Sequence, residues 1–175
     1  MEDALAASGM PYVSLRPSFY FGNLAGPWTA PGILRGGVIA YPLPLALRAS
    51  WIGWDGMAAL VEAAMDRPAL WRQAIDIGGP EALDGDAIAA RLGTALGRSL
   101  TCQQIPPDAF EAGLAAAIGP AAAHSVGHLY RWIAERPETD LYTTDGAALA
   151  QRFAVPLQPL AEWAAAHPWP VMPDA

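Results

Sequence analysis

Ser8-Gly9-Met10-Pro11-Tyr12-Val13-Ser14-Leu15-Arg16-Pro17-Ser18-Phe19-Tyr20-Phe21-Gly22-Asn23-Leu24 is the stretch whose reading decides the fold. Just before it, Glu2 to Ser8 reads as the end of a helix, with apolar Ala4, Leu5 and Ala7. Gly9 stops that helix, because glycine closes a helix in a left-handed conformation at little cost, and Pro11 confirms the stop. Tyr12-Val13-Ser14-Leu15 is rich in strand formers and predicts a short strand. Arg16-Pro17 ends it, because proline cannot donate to a ladder.

Outward from there, residues 18–50 read as a loop-rich insert dense in Gly and Pro, with short strands expected at Val38–Tyr41 and Ser50–Ile52. A loop region of that length is usually functional or mobile. Asp55 is placed to cap a helix through about Met65, with Ala58, Leu60, Val61 and Ala64 on its buried side. Gln73–Ile77 predicts a second strand, closed by Gly78-Gly79-Pro80. Asp84 is placed to cap a helix to Leu96, where Ala87, Ile88, Leu92, Ala95 and Leu96 recur at helical spacing and Gly97 closes. Leu100 to Ile105 predicts a third strand. Pro107 then opens a helix, and a break at Gly119-Pro120 separates it from a second helix carrying Val126, Leu129, Tyr130 and Ile133 on one face. Asp145 caps a short helix to Phe153, Pro159 opens another through Ala166, and residues 168–175 form an irregular tail.

Strands alternating with helices place the chain in the α/β class as a single domain over residues 1–175. So few strands are too few for the sheet of a full Rossmann-type domain, so an incomplete sheet is expected.

Composition narrows the function. The chain is 53% hydrophobic, with a mean hydropathy of +0.21, high for a domain of this size. An Ala-rich globular protein accounts for this, and so does a piece whose apolar face expects a partner. No long uncharged apolar run suggests a membrane span. The Met1-Glu2-Asp3 start is acidic where a secretory leader is basic, which points to the cytoplasm. Cys102 is the lone cysteine, so no internal disulfide forms. The net charge is −7 and the arginines are scattered, which argues against nucleic acid. Lysine is absent. That excludes Schiff-base chemistry, a GxxxxGK phosphate loop and a Tyr-x-x-x-Lys pair. Richness in Ala, Arg, Gly and Pro without Lys suggests GC-rich bacterial coding.

The opening stretch resembles the "SGLPYTILRP-x-F-x-x-N-L" segment of the NmrA-like, atypical short-chain dehydrogenase/reductases. Ile52-Gly53-Trp54-Asp55-Gly56-Met57-Ala58, Ile77-Gly78-Gly79-Pro80-Glu81-Ala82-Leu83, Ile88-Ala89 through Leu96-Gly97-Arg98, Ile105-Pro106 and Leu160-Ala161-Glu162-Trp163 resemble further family segments, in the same order. The resemblance implies a partial Rossmann-like α/β fold lacking the N-terminal dinucleotide-binding units, since in the family this segment lies past mid-chain and here it begins at Ser8. It also implies an NAD(P)H cofactor. Pro17, Ser18, Phe19 and Tyr20 would line the nicotinamide side, with Asn23 nearby. Trp28, Tyr41, Trp51 and Trp54 would wall a substrate cleft. Taken singly, each aromatic is more simply explained as core or interface, because aromatics dominate both. The family's Gly-x-x-Gly-x-x-Gly turn, which brings backbone and a helix N-terminus to the pyrophosphate, does not occur in these residues. Gly36-Gly37 and Gly78-Gly79 read as turns.

Other constellations have simpler explanations. His124 and His128 share a helix face at the spacing of a two-His metal pair, but no third ligand is evident, so no metal is expected. Asp108 and Glu111 suit a helix N-terminus better than acid/base work. Cys102 reads as a buried thiol. Ser8 and Ser14 belong to no nucleophile elbow.

The expected function is therefore the C-terminal, substrate-side portion of an NAD(P)-dependent oxidoreductase-type protein, inactive alone and completed by an N-terminal half. Two alternatives stand: a non-catalytic binding or regulatory module, or a self-associating domain whose open strand edges pair in a homodimer.

Overall fold

The computed structural model describes residues 2–170. Helix α1 (Glu2–Ala7) leads into strand β1 (Val13–Pro17). β1 pairs in parallel with β3 (Gln73–Ile77), in register from Val13 opposite Gln73 to Pro17 opposite Ile77. β2 (Val38–Tyr41) pairs in parallel with β4 (Thr101–Gln104). Two single pairings, Tyr20 with Ile52 and Ala49 with Leu83, lie outside these strands. The α/β class and the small parallel pairing are those of a partial Rossmann-like fold.

Pro17 occupies the last position of β1 rather than ending it at Leu15. The Tyr12 carbonyl accepts from Arg72, and the Ser18 amide donates to the Ile77 carbonyl at 3.1 Å. Main-chain groups alternate sides along a strand, so Pro17 turns its missing N–H away from β3. Ser50–Ile52 is not a strand, since Ile52 makes only the single pairing with Tyr20.

Residues 18–50 hold the one-turn helix α2 (Gly22–Ala25), a π-turn (Gly32–Gly36) and β2. Helix α3 (Trp54–Met65) starts after Gly53, and Asp55 sits inside its first turn without a capping hydrogen bond. Its carboxylate there complements the helix dipole instead. Leu60 and Ala64 form its buried side, while Ala58 and Val61 are exposed.

Helix α4 (Gly85–Leu96) is capped by Asp84, whose carboxylate accepts from the Ala87 amide at 2.9 Å, and Gly97 closes it in the left-handed region at φ 63°. Helices α5 (Pro107–Ile118) and α6 (Pro120–Ala134) are split at Gly119, whose φ of 83° suits glycine. Asp145 caps α7 (Gly146–Phe153), and α8 (Leu160–Ala166) follows Pro159. Residues 168–170 have no regular structure, and the rest of the expected tail lies outside the described residues.

Two apolar clusters form the core. One gathers Phe19, Trp51, Ile39, Tyr41, Leu92, Tyr130 and Leu160. The other packs Ile75 and Ile77 of β3 on Leu60 of α3 and Phe153 of α7. The opposite face of β1 and β3 carries Ser14, Arg16 and Asp76, with Glu2 of α1 binding Ser14 and Arg16. Among the described residues, no helix is long and apolar enough to cross a membrane.

Candidate functional site

Where β1 ends, the chain is clamped to the segment beginning at Ser50. The Ser18 hydroxyl donates to the Ser50 carbonyl. Ile52 donates to Phe19 at 2.8 Å, and Phe21 donates to Ile52 at 3.0 Å. These bonds hold Ser18, Phe19 and Tyr20 at the mouth of a cavity of about 360 Å³, with Asn23 of α2, Trp28 and Tyr41 of β2 on the same wall. Phe110, Leu114 and Ile118 of α5, with Val126, Leu129 and Tyr130 of α6, form the other wall. A volume of this size, mostly apolar with a few polar groups, suits a small aromatic molecule.

The aromatic wall is continuous. The Phe19 ring lies parallel to Tyr130 at 6.4 Å, and Phe110 meets Tyr130 edge-on at 5.2 Å. It carries a hydrogen-bonded pair, the Tyr41 hydroxyl lying 2.7 Å from the Tyr130 hydroxyl. Burial pushes the Tyr41 phenol up to about 12, against the opposing pull of hydrogen bonds from Tyr130 and Asn23. Burial also raises Tyr130, and its neighbour Tyr41 adds to the effect. Both phenols are therefore neutral near pH 7 and act as hydrogen-bonding groups.

The structure brings Ser18, Phe19, Tyr20, Asn23, Trp28 and Tyr41 together around this cavity, and leaves three expected residues off its wall. Pro17 is the last residue of β1. Trp51, 1% exposed, stands behind Phe19 with ring centroids 5.1 Å apart and belongs to the core. Trp54, at the start of α3, is exposed and stacks on Tyr20 at 4.6 Å. The α5–α6 wall was not anticipated as part of a site. Its signal was present in the four-residue steps Phe110, Leu114, Ile118 and Val126, Tyr130, but a cavity wall and a solid core share that periodicity.

The remaining candidates have structural partners. Glu111 accepts from Arg131 at 2.9 Å and bonds His124 at 2.9 Å, tying α5 to α6. The His124 bond, then Arg131, holds its carboxyl below the usual range. Asp108 pairs with Arg131 at 2.6 Å. His128 bonds His124 at 3.0 Å. Among the described residues, no three His, Cys, Asp or Glu side chains gather to hold a metal. Burial, and then Asp86, push the Cys102 thiol up to about 11, which makes it a poor nucleophile. A second groove, of about 400 Å³, runs along β1 and α3 between Val13, Leu15, Val61, Met65 and Trp71.

No family model matches the chain. An NAD(P)H azoreductase of Xenophilus azovorans is 35% identical over 97 residues, covering 55% of this chain and 33% of that protein. An NADPH-dependent quinone oxidoreductase of Escherichia coli, solved with NADPH, superposes on 94% of this chain and 56% of its own, with a TM-score of 0.74 and 21% identity. The negative transcriptional regulator NmrA, solved with NADP, superposes on 94% of this chain and 55% of its own, with a TM-score of 0.63 and 16% identity. Over the matched stretch the chain shares the fold of these two solved structures. It spans about a third of the curated relative it matches, and just over half the length of the two solved structures. Those two structures carry NADPH and NADP respectively, so one fold serves both an oxidoreductase and a transcriptional regulator.

Proposed function

We propose that this chain supplies the acceptor side of an NAD(P)H-dependent reductase pocket for a planar aromatic molecule with a quinone-type or carbonyl acceptor group. The observation that carries this reading is the aromatic cavity of about 360 Å³ built at the end of β1 from Ser18, Phe19 and Tyr20. Asn23, Trp28 and Tyr41 join it, so six of the residues that the NmrA-like resemblance implies for the cofactor and substrate side meet in one place. The dinucleotide phosphates would be held by polypeptide that is not part of these 175 residues, because the glycine-rich turn is not among them.

That polypeptide would join at β1. Pairing with β3 uses the side of β1 that carries Tyr12 and Ser18, which leaves the main chain of Val13 and Leu15 directed outward. The groove beside it bears exposed Val61, Met65 and Trp71. The two solved structures have nearly half of their length outside the matched stretch, so the occupant we propose is a dinucleotide-binding polypeptide adding a strand to β1. A homodimer is the competing occupant. Sedimentation across micromolar concentrations separates them: a monomer is expected, and a stable dimer overturns this seat for the missing part.

The catalytic reading is tested by thermal unfolding of the chain with 1,4-naphthoquinone, NADPH or NADH. A ligand at 100 times its dissociation constant stabilises a one-site protein by about 2.7 kcal/mol. Stabilisation by the quinone without stabilisation by either nucleotide is expected. Stabilisation by neither quinone nor nucleotide overturns the reading. Stabilisation by a nucleotide alone would assign the cavity to cofactor instead of acceptor.

A further inference from the structure

Four residues apart on α6, His124 and His128 share a helix face, and the structure adds to that spacing the position of their ring nitrogens. The two Nε2 atoms lie 3.0 Å apart. Two nitrogens bound to one metal ion, each about 2.0–2.1 Å from it, stand about 2.9 Å apart at a right angle and about 3.4 Å apart at a tetrahedral one. The observed separation falls inside that range. The other ring nitrogen of His124 meets α5, with Nδ1 2.9 Å from Oε1 of Glu111. The His124 bond, then Arg131, holds the Glu111 carboxyl below the usual range, so it is ionised near pH 7. An ionised carboxylate only accepts, so Nδ1 of His124 carries a proton, and in the neutral ring Nε2 keeps its lone pair. A carboxylate on the far nitrogen is how metal-binding histidines are oriented. His128 is exposed and, among the described residues, bonds only His124, so its ring can turn its Nε2 to the same point.

The surroundings favour a cation. Both histidines open on a hollow of about 520 Å³ that Asp108, Glu111 and Arg131 also line. Asp108 and Glu111 share the single guanidinium of Arg131, which leaves negative charge in excess beside the imidazoles. A Cβ on Gly127 would lie 2.1 Å from Oε2 of Glu111, so glycine at that point of α6 leaves the carboxylate room to reach both His124 and Arg131. No residue lines both this hollow and the aromatic cavity. We infer that His124 and His128 form a two-imidazole site for a divalent transition-metal cation of the zinc or nickel type, with Glu111 as the orienting partner behind His124. Water, or an oxygen or nitrogen ligand entering the hollow, completes the coordination. Imidazole suits such cations, whereas magnesium takes oxygen ligands in a near-ideal octahedron and is refused. With only two protein donors the site keeps open positions, unlike a closed structural zinc site. The inference does not depend on the acceptor-side reading.

The test is calorimetric titration of the full chain with zinc chloride near neutral pH, with magnesium chloride as the control. The chain has three histidines, so His167 serves as the comparison. One Zn²⁺ should bind per chain, and Mg²⁺ should not compete with it. Glu111→Ala should lose about tenfold in affinity, and His124→Ala and His128→Ala should each lose more. His167→Ala should bind as the unaltered chain does. Both site histidines are exposed and alanine favours a helix, so circular dichroism of these variants should match the unaltered chain. A readout that needs no variant is the histidine ring signals in nuclear magnetic resonance: Zn²⁺ should shift those of His124 and His128 and leave His167 unmoved. Unchanged affinity in either site-histidine variant, or shifts at one histidine alone, reduces the pair to a hydrogen bond and overturns the site. Equal binding of Mg²⁺ and Zn²⁺ overturns it as well. Unchanged affinity in Glu111→Ala overturns the orienting role given to Glu111.

Discussion

The Tyr41 hydroxyl lies 2.7 Å from the Tyr130 hydroxyl and so joins β2 to α6 across 89 positions of sequence. Both residues are 3% exposed. Removing one hydroxyl strands the other away from water, whereas removing both leaves neither hydroxyl unpaired. Tyr41→Phe should therefore destabilise the chain by about 1–3 kcal/mol, and the double variant Tyr41→Phe/Tyr130→Phe by less than the sum of the single ones. Denaturant unfolding of the four proteins measures this. A double variant whose loss equals the sum would show that the two hydroxyls do not interact.

The same pair sets an alkaline limit. A tyrosine ordinarily ionises near pH 10, and burial pushes Tyr41 in the fold up to about 12. The native state then holds its proton where the unfolded chain has released it. The stability this contributes is fully present below pH 10 and is lost as pH rises from 10 towards 12. Denaturation midpoints should fall through that window, together with a rise in phenolate absorbance. Tyr41→Phe should flatten the fall.

Gly79 and Gly113 should respond to alanine in opposite directions. A Cβ on Gly79 would lie 2.0 Å from the Trp51 carbonyl oxygen, which is backbone and cannot swing aside. Gly79→Ala should cost about 1–3 kcal/mol by overpacking. A Cβ on Gly113, inside α5, meets nothing within 4 Å. Gly113→Ala should add about 0.5–1 kcal/mol, because alanine loses less backbone freedom in a helix. Thermal melts of the two variants check both signs.

Asp84→Ala should weaken α4 by about 1 kcal/mol through loss of its bond to the Ala87 amide. Asp55→Ala should cost less, since Asp55 makes no capping bond in α3. Equal losses would mean that charge at the helix start, rather than the cap, decides both.

Local chemistry made much of this architecture legible. Asp84, Gly97, Gly119-Pro120 and Asp145 mark helix ends through bonds and backbone angles that depend on near neighbours. Gln73–Ile77 and Val38–Tyr41 coincide with β3 and β2 for the same reason. What depends on distant packing was not legible. Asp55 looks like a cap, but Gly53 takes that position, directly after the Tyr20–Ile52 pairing. Trp51 and Trp54 look like site aromatics, yet one is sealed behind Phe19 and the other stacks outside on Tyr20. The α5–α6 wall was hidden for the converse reason. Phe110, Leu114 and Tyr130 carry the spacing of a core, and only the tertiary arrangement leaves a cavity in front of them.

Amide chemical-shift mapping of the isotopically labelled chain with 1,4-naphthoquinone tests the central claim most directly, because the β1-end cavity of about 360 Å³ has a rival of similar size among the described residues, the groove of about 400 Å³ along β1 and α3. Shifts gathered at Ser18, Phe19, Tyr20, Asn23, Tyr41 and Tyr130 are predicted, with Val13, Leu15, Val61 and Met65 unmoved. Shifts confined to the groove along β1 and α3, with the β1-end cavity silent, would contradict the account.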